Sequence, residues 1–213
     1  MFVTLDDQPK STIGISQMEA LELPNNSFWT KFAEAGANSI SKAISTKIGG
    51  KFTTSACQGG KVVLSSVTKA NIAKLRASCA GRVADTVLLL NPTNYAELLS
   101  LFDSNVYGGT DPVQNGYIEK LYGFKAVVEA NDLPSGVTGA LVPANGLAIA
   151  VRPVALPDMN AYPEAGVVTD DNGFSITAMR HTAFATGKAY MNVTCLVGAE
   201  LTMPSLTKYI AAS

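Results

Sequence analysis

His181 is the one histidine of the chain, set between Arg180 and Thr182 just past a stretch of alternating residues. A hydrolytic triad would need it beside an activated serine or cysteine and a carboxylate to orient the imidazole. No Gly-x-Ser-x-Gly elbow occurs in the sequence, so no serine is presented on the sharp strand-to-helix turn that such chemistry uses. The three cysteines, Cys57, Cys79 and Cys195, are widely spaced and form no Cys-x-x-Cys pair. A zinc or iron site draws on several closely spaced Cys or His ligands, so buried free thiols in a reducing compartment are the expectation.

Asp6-Asp7 and Asp170-Asp171 are adjacent acid pairs, each inside a predicted turn. Aspartate is favoured there because its side chain hydrogen-bonds nearby backbone, so solvated turn residues are the default and a cation bridge the exception. Gly59-Gly60-Lys61 invites a phosphate-loop reading, yet the four-residue spacing and the trailing Ser or Thr are missing. Asn192-Val193-Thr194 matches a glycosylation acceptor but falls in a predicted strand. No catalytic residue, metal ligand or cofactor-binding residue is assigned. The chain is read as a non-enzyme that needs no cofactor.

The bulk numbers point the same way. Of 213 residues, 47 % are hydrophobic and 15 % charged, against roughly 25 % charged in an average domain. Sparse charge leaves surface that is cheap to desolvate, which favours contact with other protein. The formal net charge is −1 and no basic run stands out, so tight phosphate-driven binding of nucleic acid is not indicated. The start, Met1-Phe2-Val3-Thr4-Leu5-Asp6-Asp7, lacks the features of a signal peptide. No apolar run is long enough to span a bilayer.

The elements around these residues follow from periodicity and turn chemistry. Phe2–Leu5 and Ser11–Ile15 both alternate, with Asp6–Lys10 as the turn between them, which predicts a hairpin over 2–16. Asn26 or Ser27 can cap a long helix over 28–48, with Phe28, Phe32, Ile40 and Ile44 at three- and four-residue intervals and Gly49-Gly50 as the stop. A helix over 68–83 carries Ile72, Leu75, Cys79 and Val83. Thr86–Leu90 is a wholly apolar strand of the kind buried on both faces. Asn91 or Thr93 then caps a short helix with Pro92 in its first turn. Residues 103–116 read as an exposed loop, Gly123–Glu129 as a strand, 140–154 as strand and short helix mixed, and 155–165 as irregular. Phe174 to Ala178 and Met191 to Leu196 are two alternating strands, with Asp171-Asn172-Gly173 supplying a tight bend before the first.

Hairpin, long helix, α/β module with an exposed loop, and return strands, in that order, resemble the HK97-type fold of tailed-phage major capsid proteins. The residues that carry the likeness are Val3-Thr4-Leu5-Asp6 through Ile13-Gly14-Ile15-Ser16, the helix Phe28 to Ile48, Asp85-Thr86-Val87-Leu88-Leu89-Leu90-Asn91-Pro92, Gly146-Leu147-Ala148-Ile149-Ala150-Val151-Arg152-Pro153, and Gly173 to Glu200. The resemblance implies an α+β chain with an extended loop at 1–16, a peripheral domain at 17–56 and 172–213 holding the spine helix 28–48, and an axial domain at 57–171. It implies a shell protein that self-assembles into pentamers and hexamers of an icosahedral head, made in the host bacterial cytoplasm and ending in the virion capsid. The head would enclose double-stranded DNA without reading its sequence, with scaffolding, portal or decoration proteins as further partners and no membrane. Contacts between copies are expected at Asp6, Asp7 and Lys10 in the extended loop and at Tyr107, Gly108, Gly109 and Asp111 in the exposed loop. The family's N-terminal arm and ascending limb are short or missing here, and no Lys–Asn crosslink is assigned, although Lys10 lies in the loop region. Encapsulin-like cargo compartments resemble the same fold and give the alternative function.

Overall fold

The computed structural model describes residues 3–16, 27–101, 121–155, 164–169, 174–183 and 185–212. In chain order its elements are β1 (Lys10–Ser16), α1 (Ser27–Gly49), β2 (Lys61–Val63), α2 (Lys69–Ser78), a 3-10 turn (Val83–Asp85), β3 (Thr86–Leu90), α3 (Pro92–Ser100) and β4 (Ala126–Glu129), followed by β5 (Gly139–Pro143), β6 (Leu147–Arg152), β7 (Glu164–Thr169), β8 (Ser175–Ala183), β9 (Lys188–Thr194), β10 (Leu196–Leu201) and β11 (Lys208–Ala211). The fold is α+β, as the sequence predicts. Residues 46–148 and 200–213 make one compact unit, residues 2–45 and 149–199 the other.

The first unit is built on a five-stranded sheet of order β2-β11-β5-β3-β4. Its strand β5 runs antiparallel to both β11 and β3, while β4 runs parallel to β3. Two helices cover one face because their starts are fixed locally. The Thr68 hydroxyl accepts from Asn71 N at 3.2 Å, and Asn91 Oδ1 accepts from Asn94 N at 2.9 Å with Pro92 opening the next turn. Ile72 and Leu75 of α2 and Tyr95 and Leu98 of α3 then meet Leu88, Leu90, Leu141 and Ile210 in one buried cluster. Side chains alternate along a strand, so the neighbours Ala140 and Val142 fall on the opposite face. There they join Phe52, Cys57 and Leu201 in a second, smaller cluster. The central strand is therefore buried on both sides.

The second unit holds a four-stranded antiparallel sheet of order β1-β9-β8-β7. Helix α1, which belongs to this unit as far as Ser45, approaches β9 at Gly36: a β-carbon there would stand 2.8 Å from Val193 Cγ2. Ile40 and Ile44 are buried farther along the helix. Two buried polar side chains of the sheet are paired: the Thr177 hydroxyl donates to Val154 O at 2.9 Å, and Asn192 Oδ1 accepts from Thr12 Oγ1 at 2.8 Å.

Several expectations need correction. The predicted hairpin over 2–16 does not form: β1 pairs with β9, Lys10 opposite Thr194 and Ser16 opposite Lys188, while residues 3–6 are not in a strand. The helix expected over 68–83 stops at Ser78, because Ala80 and Gly81 turn left-handed at φ 48° and 83°. The strand expected from Gly123 begins only at Ala126, since Tyr122 and Gly123 also take positive φ. Residues 140–154 contain no helix; they hold β5 and β6, which belong to different sheets. A further strand, β7, precedes the two return strands and pairs with β8 from Glu164 opposite Arg180 to Thr169 opposite Ser175. The exposed loop 103–116 and the bend Asp171-Asn172-Gly173 lie outside the described residues.

Candidate assembly surfaces

The N-terminal stretch is tied to its own chain by backbone first and side chains second. Asp7 N donates to Val197 O at 3.3 Å and Val197 N to Asp7 O at 2.9 Å, an isolated antiparallel bridge. Close by, Gly198 has no room for a side chain because the Thr4 carbonyl lies where its β-carbon would be. Thr194 Oγ1 donates to Pro9 O at 2.9 Å and itself accepts from Gln8 Nε2 at 3.4 Å. From Lys10 the chain becomes a regular strand. Asp7 and Lys10 are thus held at the backbone, and Asp6, Asp7 and Lys10 all stand exposed. Tyr107, Gly108, Gly109 and Asp111, the other predicted contact residues, lie outside the described residues.

The residues that suggested chemistry have structural surroundings. Directly across from His181 in the sheet is Tyr190, and the two rings stack at 5.3 Å between centroids with 17° between planes. Tyr190 also faces Gly14 of β1, where a β-carbon would sit 2.8 Å from its Cδ1. The histidine ring therefore belongs to a row that crosses three strands. Arg180, its neighbour, lies 4.6 Å above the Trp29 ring, a cation–π contact between sheet and helix. Cys57 and Cys195 are buried and Cys79 is half-buried, all three as free thiols. Burial pushes the Cys57 thiol up to about 11. Burial likewise raises Cys79, and it raises Cys195 with a smaller contribution from the Asp7 carboxylate. Such thiols stay protonated and are poor nucleophiles or metal ligands at neutral pH.

Among the described residues, no group of three or more His, Cys, Asp and Glu side chains could hold a metal ion. None of the described helices is long and apolar enough to cross a membrane. What the arrangement offers instead is strand edge. Among the described residues, β2 and β4 are the outer strands of the five-stranded sheet, and β1 and β7 those of the four-stranded sheet. Outer strands present unpaired backbone donors and acceptors to another chain. Val63 of β2, Val128 of β4 and Val167 of β7 are exposed to 56 %, 42 % and 47 %, so three of these edges add an apolar side chain. Sequence reasoning missed them. The available signal was the doubled valines Val62-Val63, Val127-Val128 and Val167-Val168: in a strand two neighbours cannot both face the same core.

A family model described as phage capsid protein matches residues 13–194. No curated protein matches the sequence. Among solved structures, the chain is similar to the capsid of the cyanophage P-SCSP1u at 14 % identity and a TM-score of 0.62, covering 99 % of this chain and 73 % of that one. It is similar to the capsid of a native GTA particle at 13 % identity and a TM-score of 0.63, over 96 % of this chain and 71 % of the other. A virus-like particle from Pyrococcus furiosus matches at 12 % identity and a TM-score of 0.58, over 96 % and 76 %. At these identities the likeness is one of fold.

Proposed function

This chain belongs to the phage capsid protein family, and from that membership we propose that it assembles with copies of itself into pentamers and hexamers of an icosahedral phage head. It is a structural shell protein of the virion capsid and not an enzyme. The observation that carries the proposal is the family match over 13–194, which takes in both compact units. The exposed valines on outer strands and the low charge content support it, since both favour burial of surface between copies. In this reading the axial domain is the unit of 46–148 and 200–213, and the peripheral domain with its spine helix and extended loop the unit of 2–45 and 149–199. This replaces the expected 57–171 against 17–56 and 172–213, since β11 shares a sheet with β5 and β3 and β7 shares one with β8. Copies meet through Asp6, Asp7 and Lys10 and through Tyr107, Gly108, Gly109 and Asp111.

The head encloses double-stranded DNA without gripping it, in keeping with a net charge of −1. Assembly takes place in the host bacterial cytoplasm, with scaffolding, portal or decoration proteins as partners. The alternative of a cargo compartment is not favoured: the matching family model is that of phage capsid protein, and likeness to the Pyrococcus particle concerns fold alone.

Light scattering and electron microscopy of the purified chain, alone and co-expressed with the other head proteins of its genome, test the proposal. Closed shells or capsomer rings are the expected result. A monomer under every one of these conditions would overturn it.

A further inference from the structure

A cavity of about 850 Å³ opens in the first unit, lined by the end of α2, the 3-10 turn, the end of β5 and the segment leading into β11. Its charges are one-sided. Arg82, Lys125 and Lys208 line it against the single acid Asp85. Lys208 is half-buried and donates from Nζ to Ser78 O at 2.6 Å, whereas Arg82 and Lys125 are exposed and form no ion pair with any described residue. Three like charges around one opening repel each other until a counter-charge arrives. Pro143 lines it as well, and buried Leu141 stands behind that lining. Met203 and Leu206 also line the cavity and are 38 % and 39 % exposed. A ligand that fits must bring carboxylates and large apolar side chains together.

The chain itself contains such a ligand. Gln17-Met18-Glu19-Ala20-Leu21-Glu22-Leu23 interleaves two carboxylates with Met18, Leu21 and Leu23, and no Lys or Arg occurs from 17 to 26. We propose that this cavity receives the segment Gln17–Asn26 of a second copy, an inference that rests on the shell reading and names one of its contacts. Each copy then has one donor segment and one receptor cavity. That is a heterologous contact, and repeating it closes rings. Packaged DNA is the other polyanion at hand, but phosphates would neutralise the cations and leave Met203 and Leu206 in water.

The test uses two charge-reversed chains, R82E+K125E and E19K+E22K. The two cations are exposed, so the first variant is expected to unfold at the wild-type temperature. In unassembled E19K+E22K protein, a labelled peptide of residues 17–26 should bind by fluorescence anisotropy. In R82E+K125E the same peptide should bind at least about tenfold more weakly, because reversal replaces attraction with repulsion. Neither variant should assemble alone. Mixed, they should co-assemble into six-membered rings, in which the two alternate, since the lysine-bearing segment of one meets the acidic cavity of the other and the native segment meets the native cavity. A five-membered ring cannot alternate and is not expected. Absence of rescue on mixing would overturn the proposal, because it would put segment and cavity of one chain together. Shells from R82E+K125E alone with no peptide binding would overturn the cavity assignment and leave the shell reading intact. Peptide binding by a wild-type chain that never assembles would do the reverse. Loss of double-stranded DNA binding in R82E+K125E without loss of peptide binding would assign the cations to DNA.

Discussion

A β-carbon on Gly36 would come within 2.8 Å of Val193 Cγ2 and 3.1 Å of its Cβ, and Val193 is buried in a stiff, β-branched strand position. Two effects oppose each other in Gly36→Ala. Helix propensity favours alanine by about 1 kcal/mol, while forcing a methyl group into a packed contact costs about 1–3 kcal/mol. The steric effect should win, so calorimetry should show unfolding a few degrees lower. In a Val193→Ala background the Cγ2 contact is gone and only the 3.1 Å contact with Cβ is left, so the same change should lower the melting temperature by less. Equal effects in both backgrounds would mean the helix does not touch β9 at that point. In the sequence Gly36 reads only as a weak position in a helix, because its reason lies on a strand far along the chain. Cys57 is similar: its burial was legible from its type, but not its consequence. Its thiol loses a proton at about 9 when free and about 11 in the fold. The unfolded chain therefore releases protons first, and stability from this group, complete below pH 9, falls between pH 9 and 11. Melting temperatures measured across that window should decline more steeply for wild type than for Cys57→Ala.

At the scale of elements, α1 spans Ser27–Gly49, one residue beyond the predicted helix at each end. Apolar residues at three- and four-residue spacing are a local signal, and Gly49-Gly50 marks the stop. The same spacing identified the face: Ile40 and Ile44 are 1 % and 3 % exposed. Ile44→Asp places a carboxylate where no water reaches, which should cost at least about 3 kcal/mol. Little soluble protein is expected, and a variant with native circular dichroism and melting temperature would show the face to be wrongly assigned. Strand partners were far less legible. Phe2–Leu5 and Ser11–Ile15 alternate as a hairpin would, yet β1 takes β9 as its partner and Asp7 takes Val197. Alternation says that a residue run is a strand and nothing about which strand it joins. The helix imagined within 140–154 failed for another reason: a short apolar run fits either period, and Asn145-Gly146 is a turn between two strands rather than a helix start.

For the whole molecule, the family was legible because element order survives where pairing does not. Assembly geometry was less so, since contacts between copies leave no local period. The shell reading nevertheless makes a sharp demand on 103–116. A segment that surrounds an axis must serve both five-fold and six-fold rings, so one sequence has to accept two environments. Gly108, Gly109 and Gly116 suit that demand, because glycine takes positive and negative φ at similar cost. Proline at 108 and 109 fixes φ near −65° and removes two backbone donors. In the shell reading the segment is an assembly contact and not core, so Gly108→Pro with Gly109→Pro should leave the monomer's circular dichroism and melting temperature unchanged. Closed shells should be lost, with single ring sizes or irregular aggregates in their place under the electron microscope. Normal shells of both ring types from this variant would remove 103–116 from the assembly contacts. A variant that fails to fold would show instead that the segment belongs to the core of its own unit.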